Sequence, residues 1–277
     1  MYPTVRSDAQ ALQGRKMHPW HGIDPAYALS GLLVGVLVGL TGTGGGSLMT
    51  PLLLFFGIHP ATAVGTDLLF TAITKIVGTA IHGWKGSVDW PLVDRLAAGS
   101  VPATIITVLF IGHFQGNRTL LNSIITSTLG VAVLVTAITV LFRTWILTHL
   151  SRGGSPLTAK RSLAYSILLG AVIGIVVSLS SVGAGAIGVT ALLIIYPLMP
   201  MGRLVGSDIA HAVPLTLIAG AGYWYLGSVD WELLCSLLVG SIPGIVVGSL
   251  ASARIPDRVI RPILASILLV VGAKLIL

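Results

Sequence analysis

Gly86-Ser87-Val88-Asp89-Trp90 returns as Gly227-Ser228-Val229-Asp230-Trp231, 141 residues further along the chain. At the same offset Gly65-Thr66-Asp67 becomes Gly206-Ser207-Asp208, and Gly99-Ser100-Val101-Pro102 becomes Gly240-Ser241-Ile242-Pro243. Gly42-Thr43-Gly44 becomes Gly183-Ala184-Gly185 in the same register. Four matches without a gap mark two copies of one unit. In a membrane protein such a duplication points to a transporter whose site lies where the copies meet.

Composition places the chain in a membrane. Of 277 residues, 9% are charged and 54% hydrophobic, against about 25% charged in a soluble domain. The mean hydropathy is +0.95, and several apolar runs reach the roughly 20 residues that cross a ~30 Å hydrocarbon core. The 16 Lys+Arg against 9 Asp+Glu give a net charge of +7. In this setting the excess reads as basic loops on the cytoplasmic side, not as a nucleic-acid surface. The lone Cys235 excludes an internal disulfide framework. Residues 1–22 are polar, and Ala26-Tyr27-Ala28 precedes the first apolar run instead of following it, so no secretory leader is read there.

Ten apolar segments follow: 26–41, 46–57, 66–83, 92–112 and 119–142, then 162–182, 186–199, 205–226, 232–251 and 259–277. Segments two and seven are too short for an upright span and each follows a Gly-rich break, so they read as half-helices or interrupted spans. The central loop 143–161 carries Arg143, Arg152, Lys160 and Arg161 and is assigned to the cytoplasm. Counting back from it, loop 113–118 falls outside with only Arg118 and loop 83–90 inside with Lys85; counting forward, loop 252–258 and its continuation, with Arg254, Arg258 and Arg261, fall inside only if segment seven counts as a crossing. Equivalent loops lie on opposite faces. The expected fold is an all-α polytopic membrane protein of two inverted repeats of about five transmembrane segments, with short broken helices at the Gly-rich turns. A polar tail (1–25) precedes the first repeat (26–142), a basic linker (143–161) and the second repeat (162–277), with both ends outside. Arg6, Arg15 and Lys16 stand against that orientation, at a distance from the first span where the charge rule weakens.

The run Thr41-Gly42-Thr43-Gly44-Gly45-Gly46-Ser47 is a poor helix, since each Gly costs about 1 kcal/mol relative to Ala. Irregular backbone at membrane depth is tolerated only where protein or a watery cavity satisfies it. The break should end one helix and start another, leaving free N–H groups at a positive helix terminus, with hydroxyls from Thr41, Thr43 and Ser47 beside them. Ser180, Ser181, Gly183 and Gly185 repeat the arrangement in the second copy. Two such termini can converge on one anion. The alternative is that these glycines only let helices pack closely.

Ionisable residues within spans are costly and functional by default. Asp67 and Asp208 occupy equivalent positions at the starts of segments three and eight, where they can also be read as N-caps. Lys75 has no acidic or basic counterpart, its repeat position being Thr216. It is the one side chain able to add a full positive charge to an anion site. His82 lies seven residues after Lys75 and His211 three after Asp208, so each can share a face with its neighbour. Asp67, Asp208, His211 and His82 are the candidates for coupling or gating. The Gly-Ser-Val-Asp-Trp loops read as turns, with Gly at the bend, Asp capping the next helix and Trp at the headgroup level.

The Gly-Thr-Gly-Gly-Gly-Ser break (42–47), Ala63-Val64-Gly65-Thr66-Asp67 and His82 with the Gly86–Trp90 run resemble the TauE/SafE family of membrane permeases. The resemblance covers nearly all of residues 26–277, with a reduced glycine run in the second copy. It implies secondary transport of sulfite or a related small sulfur-containing anion across the cytoplasmic (inner) membrane. Export is the leading expectation; uptake of another small anion, or an anion channel, is the alternative. No His-Glu-x-x-His, paired Cys or ATP-binding motif appears, so neither enzyme chemistry nor a cofactor is expected. The expected partners are the anion and the lipid bilayer, with no nucleic acid; association with further copies is left open.

Overall fold

The computed structural model describes residues 24–41, 46–84, 86–150, 158–183, 185–252 and 257–276. Among them are ten α-helices and no strand. The first half holds α1 (Pro25–Thr41), α2 (Gly46–Phe55), α3 (Pro60–Trp84), α4 (Trp90–His113) and α5 (Arg118–Leu150). The second holds α6 (Ala159–Ser180), α7 (Ala186–Ile195), α8 (Met201–Tyr225), α9 (Trp231–Ser252) and α10 (Asp257–Ile276). Helices α3, α4, α5, α6, α8 and α9 are long and apolar enough to cross a membrane; α1, α7 and α10 contribute shorter apolar stretches. The chain is an all-α polytopic membrane protein.

The ends of α4 show why the Gly-Ser-Val-Asp-Trp segment stops one helix and starts the next. Gly86 has φ 63° and Gly227 φ 70°, left-handed conformations that favour glycine. Asp89 then accepts a hydrogen bond from Leu92 N at 3.1 Å, and Asp230 from Leu233 N at 3.0 Å. Each carboxylate caps its helix, worth about 1 kcal/mol.

Small residues set the packing. On α1, a side chain at Gly31 or Gly35 would strike the backbone of Leu237 or Ser241 on α9. On α6, a side chain at Gly170 or Gly174 would strike the backbone of Leu96 or Ser100 on α4. Both pairs run parallel, and Leu96 and Ser100 are the repeat positions of Leu237 and Ser241. The first helix of each half therefore locks onto the fourth helix of the other. At the centre α3 and α8 run antiparallel: Gly65 faces Tyr223, Leu69 faces Gly220 and Gly78 faces Ile209.

Helices α2 and α7 have 10 residues each, about 15 Å of rise. They fold back along the helices before them. Phe56 after α2 meets Tyr27 at the start of α1, ring centroids 5.7 Å apart. Tyr196 after α7 shares a 2.8 Å hydrogen bond with Ser166 in the second turn of α6. Because Gly174 lies against Ser100, α6 ends about 9 Å further on, well inside the length of α4. The second break is therefore buried between these helices and not on the rim.

Candidate functional site

Asp67 and Asp208 are not N-caps. Helix α3 begins at Pro60 and α8 at Met201, so each aspartate lies two turns inside its helix. What satisfies a capping residue locally is absent there, and tertiary contacts decide the fate of each carboxyl. Asp67 is fully buried and accepts from Thr50 of α2 and, at 3.4 Å, from Thr71 of α3. Ser181 of the second break lies beside the same carboxyl, although its hydroxyl closes no hydrogen bond of its own.

The pocket of Asp208 is built differently. Its Oδ1 is buried without a hydrogen-bond partner among the described residues. A side chain on Gly188 of α7 would fall on that oxygen, so glycine there keeps the space open. Lys75 reaches in from α3, 7% exposed, and interacts electrostatically with Asp208 first and Asp67 second. It closes no direct ion pair; among the described residues the one direct pair is Arg203–Asp89 at 3.5 Å. His211, three residues after Asp208, shares a 2.8 Å hydrogen bond from Nε2 to Ser100 of α4. Its Nδ1 and the nearby α4 hydroxyl Thr104 are buried without partners among the described residues.

The residues preceding each aspartate form a clamp. Asp89 N donates to Ser207 Oγ at 2.8 Å, and Asp230 N donates to Thr66 Oγ1 at 3.1 Å. A side chain at Gly206 would strike Ser87 O, and one at Gly65 would strike Ser228 O. Each Gly-hydroxyl-Asp triplet thus uses glycine and hydroxyl to seat the loop of the other half, and turns its aspartate inward. His82 belongs to one clamp and not to the carboxyl cluster: its Nδ1 lies 3.1 Å from Ser87 Oγ, which donates to His82 O at 2.9 Å.

Comparison with known proteins settles the family. The profile described as Sulfite exporter TauE/SafE matches residues 27–275. The chain belongs to the TauE/SafE family. It is similar to "Probable membrane transporter protein YjnA" of Bacillus subtilis, 41% identical over 251 residues, spanning 90% of this chain and 98% of that protein. It is also similar to YdhB of the same organism, 28% identical over 83% of this chain and 90% of that protein, likewise named a probable membrane transporter. A Xylella fastidiosa protein of the same description is 30% identical over 81% of this chain and 83% of its own length. No solved structure matches the chain. The protein is a membrane transporter by family.

In this TauE/SafE member, the second glycine break departs from a pure packing role. Gly183 has φ 115°, and a Cβ added there would meet side-chain atoms of Ile187 and Val176 at an ordinary 3.6 Å, so the backbone conformation, not close approach, requires glycine. Ser181 is also left-handed, φ 58°, and ends α6. Ser180 Oγ donates to Val176 O at 2.7 Å and accepts from Val182 N at 3.2 Å, so this hydroxyl holds the break itself. Among the described residues no side chain caps α7 at Gly185, and the Ser181 hydroxyl is buried in the same break. Gly42, Thr43, Gly44 and Gly45 lie outside the described residues. Thr41 ends α1 and Gly46 and Ser47 open α2, so the chain does change helix across the first break. Thr50, Ser100 and Gly188 escaped the sequence reading because each is an ordinary helix residue until its neighbour is known. Among the described residues no cluster of three metal-ligating side chains forms.

Proposed function

We propose that the protein is a proton-coupled secondary transporter of small oxyanions, sulfite among them, exporting them across the cytoplasmic membrane. The observation that carries this reading is Lys75, a buried basic side chain that interacts with two buried carboxyls, Asp208 and Asp67, where α3 crosses α8. An ionisable side chain at membrane depth is expensive, is offset by pairing, and by default marks a substrate or ion pathway. With Asp67, Asp208 and Lys75 all ionised the cluster sums to −1, which repels an anion. Protons entering with the anion remove that repulsion, and sulfite itself takes up a proton near neutral pH. The N-terminus of α7 adds about half a positive charge without a side chain.

The opposed directions of α3 and α8, with α1 parallel to α9 and α6 parallel to α4, support reading the halves as inverted repeats. Arg95, Lys160, Arg161 and Arg203 gather at the end where α4, α6 and α8 begin. By the charge rule that end is cytoplasmic, and its basic residues favour capture of anions from inside. Asp94 and Glu232 are exposed near opposite ends. Single cysteines there, in a Cys235→Ser background, should be modified by a membrane-impermeant maleimide from opposite faces; same-face labelling would contradict the inverted arrangement.

The transport reading is tested with purified protein in proteoliposomes and radiolabelled sulfite. Flux should respond to a pH gradient and fall about tenfold or more in Lys75→Ala, the equivalent of at least about 1.4 kcal/mol. Gradient-independent flux, or wild-type flux in the variant, would overturn it.

A further inference from the structure

Resting on this transport reading, we propose that Asp208 alone carries the coupling proton, one per anion, while Asp67 is a fixed structural carboxyl. The two aspartates are repeat equivalents, yet every hydroxyl that serves Asp67 is missing around Asp208. Thr50, which donates to Asp67, corresponds to Ala191; Thr71 corresponds to Ala212; Ser181, beside Asp67, corresponds to Leu40. In the other direction His211 replaces Phe70 and Lys75 replaces Thr216. The second half has lost neutral donors and is served by a cation.

That exchange has a chemical consequence. Asp67 keeps its hydroxyl donors whatever the ligand does. Among the described residues Asp208 has only Lys75 for compensation, at a distance beyond a direct ion pair. When an anion arrives, the ammonium turns to it and the carboxylate is left buried and alone. A buried unpaired charge is strongly unfavourable, and a carboxylate in that position takes a proton instead. The proton comes from water on the side to which the site is open and bonds to Asp208, whose Oδ1 is the oxygen without a partner. One monoanion and one proton enter, so the charge of the cluster does not change.

The charged groups around Asp208 do not offer a rival carrier. From α3 it meets Lys75, with Asp67 and His82 farther along. Helix α4 carries Asp94, Arg95 and His113 only near its ends, α6 carries Lys160 and Arg161 only in its first turn, and α7 carries none. On α8 itself Arg203 is turned to Asp89, and His211 is held at Nε2 by Ser100.

The test compares protons moved per anion in proteoliposomes, with radiolabelled sulfite as the probe and an internal pH dye as the second readout. Because sulfite carries its own proton, the difference between variants is what counts. Wild type should move about one proton per anion more than Asp208→Asn, and the same number as Asp67→Asn. An equal count in wild type and Asp208→Asn, or a count lost only in Asp67→Asn, would overturn the assignment and leave the transport reading intact. Absence of sulfite flux in the wild type would instead remove the transport reading itself. Infrared difference spectra of the wild type provide a measurement that needs no variant to fold. Adding sulfite should produce the carbonyl stretch of one newly protonated carboxyl; no such band, with sulfite bound, overturns the proposal.

Discussion

The two clamps and the two carboxyl pockets lie a residue apart, yet only the clamps repeat. At both clamps a backbone N–H of the loop reaches the hydroxyl before an aspartate, Ser207 or Thr66, and a loop carbonyl presses on the glycine before that. One step further, Asp67 has hydroxyl neighbours and Asp208 has a lysine. The clamps hold the chain's own loops, so both copies keep the same residues for the same task. A ligand that is itself a single small object needs one site, and the duplicated half is free to specialise.

The most severe way to break the comparison is to fill the glycines. Gly206→Leu and Gly65→Leu each place a side chain onto an opposing backbone carbonyl, which cannot move aside as a side-chain tip could. Each should cost about 3 kcal/mol or more, at the upper end of overpacking effects. Thermal unfolding in detergent should show similar losses for both; a large inequality would mean that the clamps are alike in geometry but not in energy.

A milder perturbation sharpens the same point. Ser207→Ala and Thr66→Ala each remove one acceptor for a loop N–H, about 1 kcal/mol by the usual worth of such a bond. The clamp at Ser207 also has the Arg203–Asp89 pair, half of it exposed, and such pairs are worth little. The two losses in thermal stability should therefore agree within a few tenths of a kcal/mol at moderate salt. A loss confined to one clamp would show that the ion pair outweighs the shared hydrogen bond.

Much of the helical layout was legible because lipid-crossing runs are long and apolar: segment 92–112 became Trp90–His113, and 186–199 became Ala186–Ile195 with a turn after it. The error lay at the polar ends. Pro60-Ala-Thr-Ala-Val-Gly-Thr-Asp looks like a loop running into a cap, yet it is helical from Pro60. Its polar groups are answered by Asp230 and Thr50 from distant parts of the chain, information that no local window holds. Lys75, Asp208 and His211 were visible as charges in apolar surroundings. That Asp208 would be poor in donors and Asp67 rich required knowing which hydroxyls face them. His82 shares a helix with Lys75, but seven residues carry it to the clamp.

The interlock of each first helix with the other half's fourth bears on how the protein is made. Gly31 rests on Leu237, 206 residues later in the chain. A ribosome therefore delivers α1 to the bilayer long before α9 exists, so the face of α1 that carries Gly31 and Gly35 cannot meet its partner until those later residues have been made. Helix α6 meets α4 already synthesised and can dock at once. Of the two interlocks, the chain order lets the one between α4 and α6 form first.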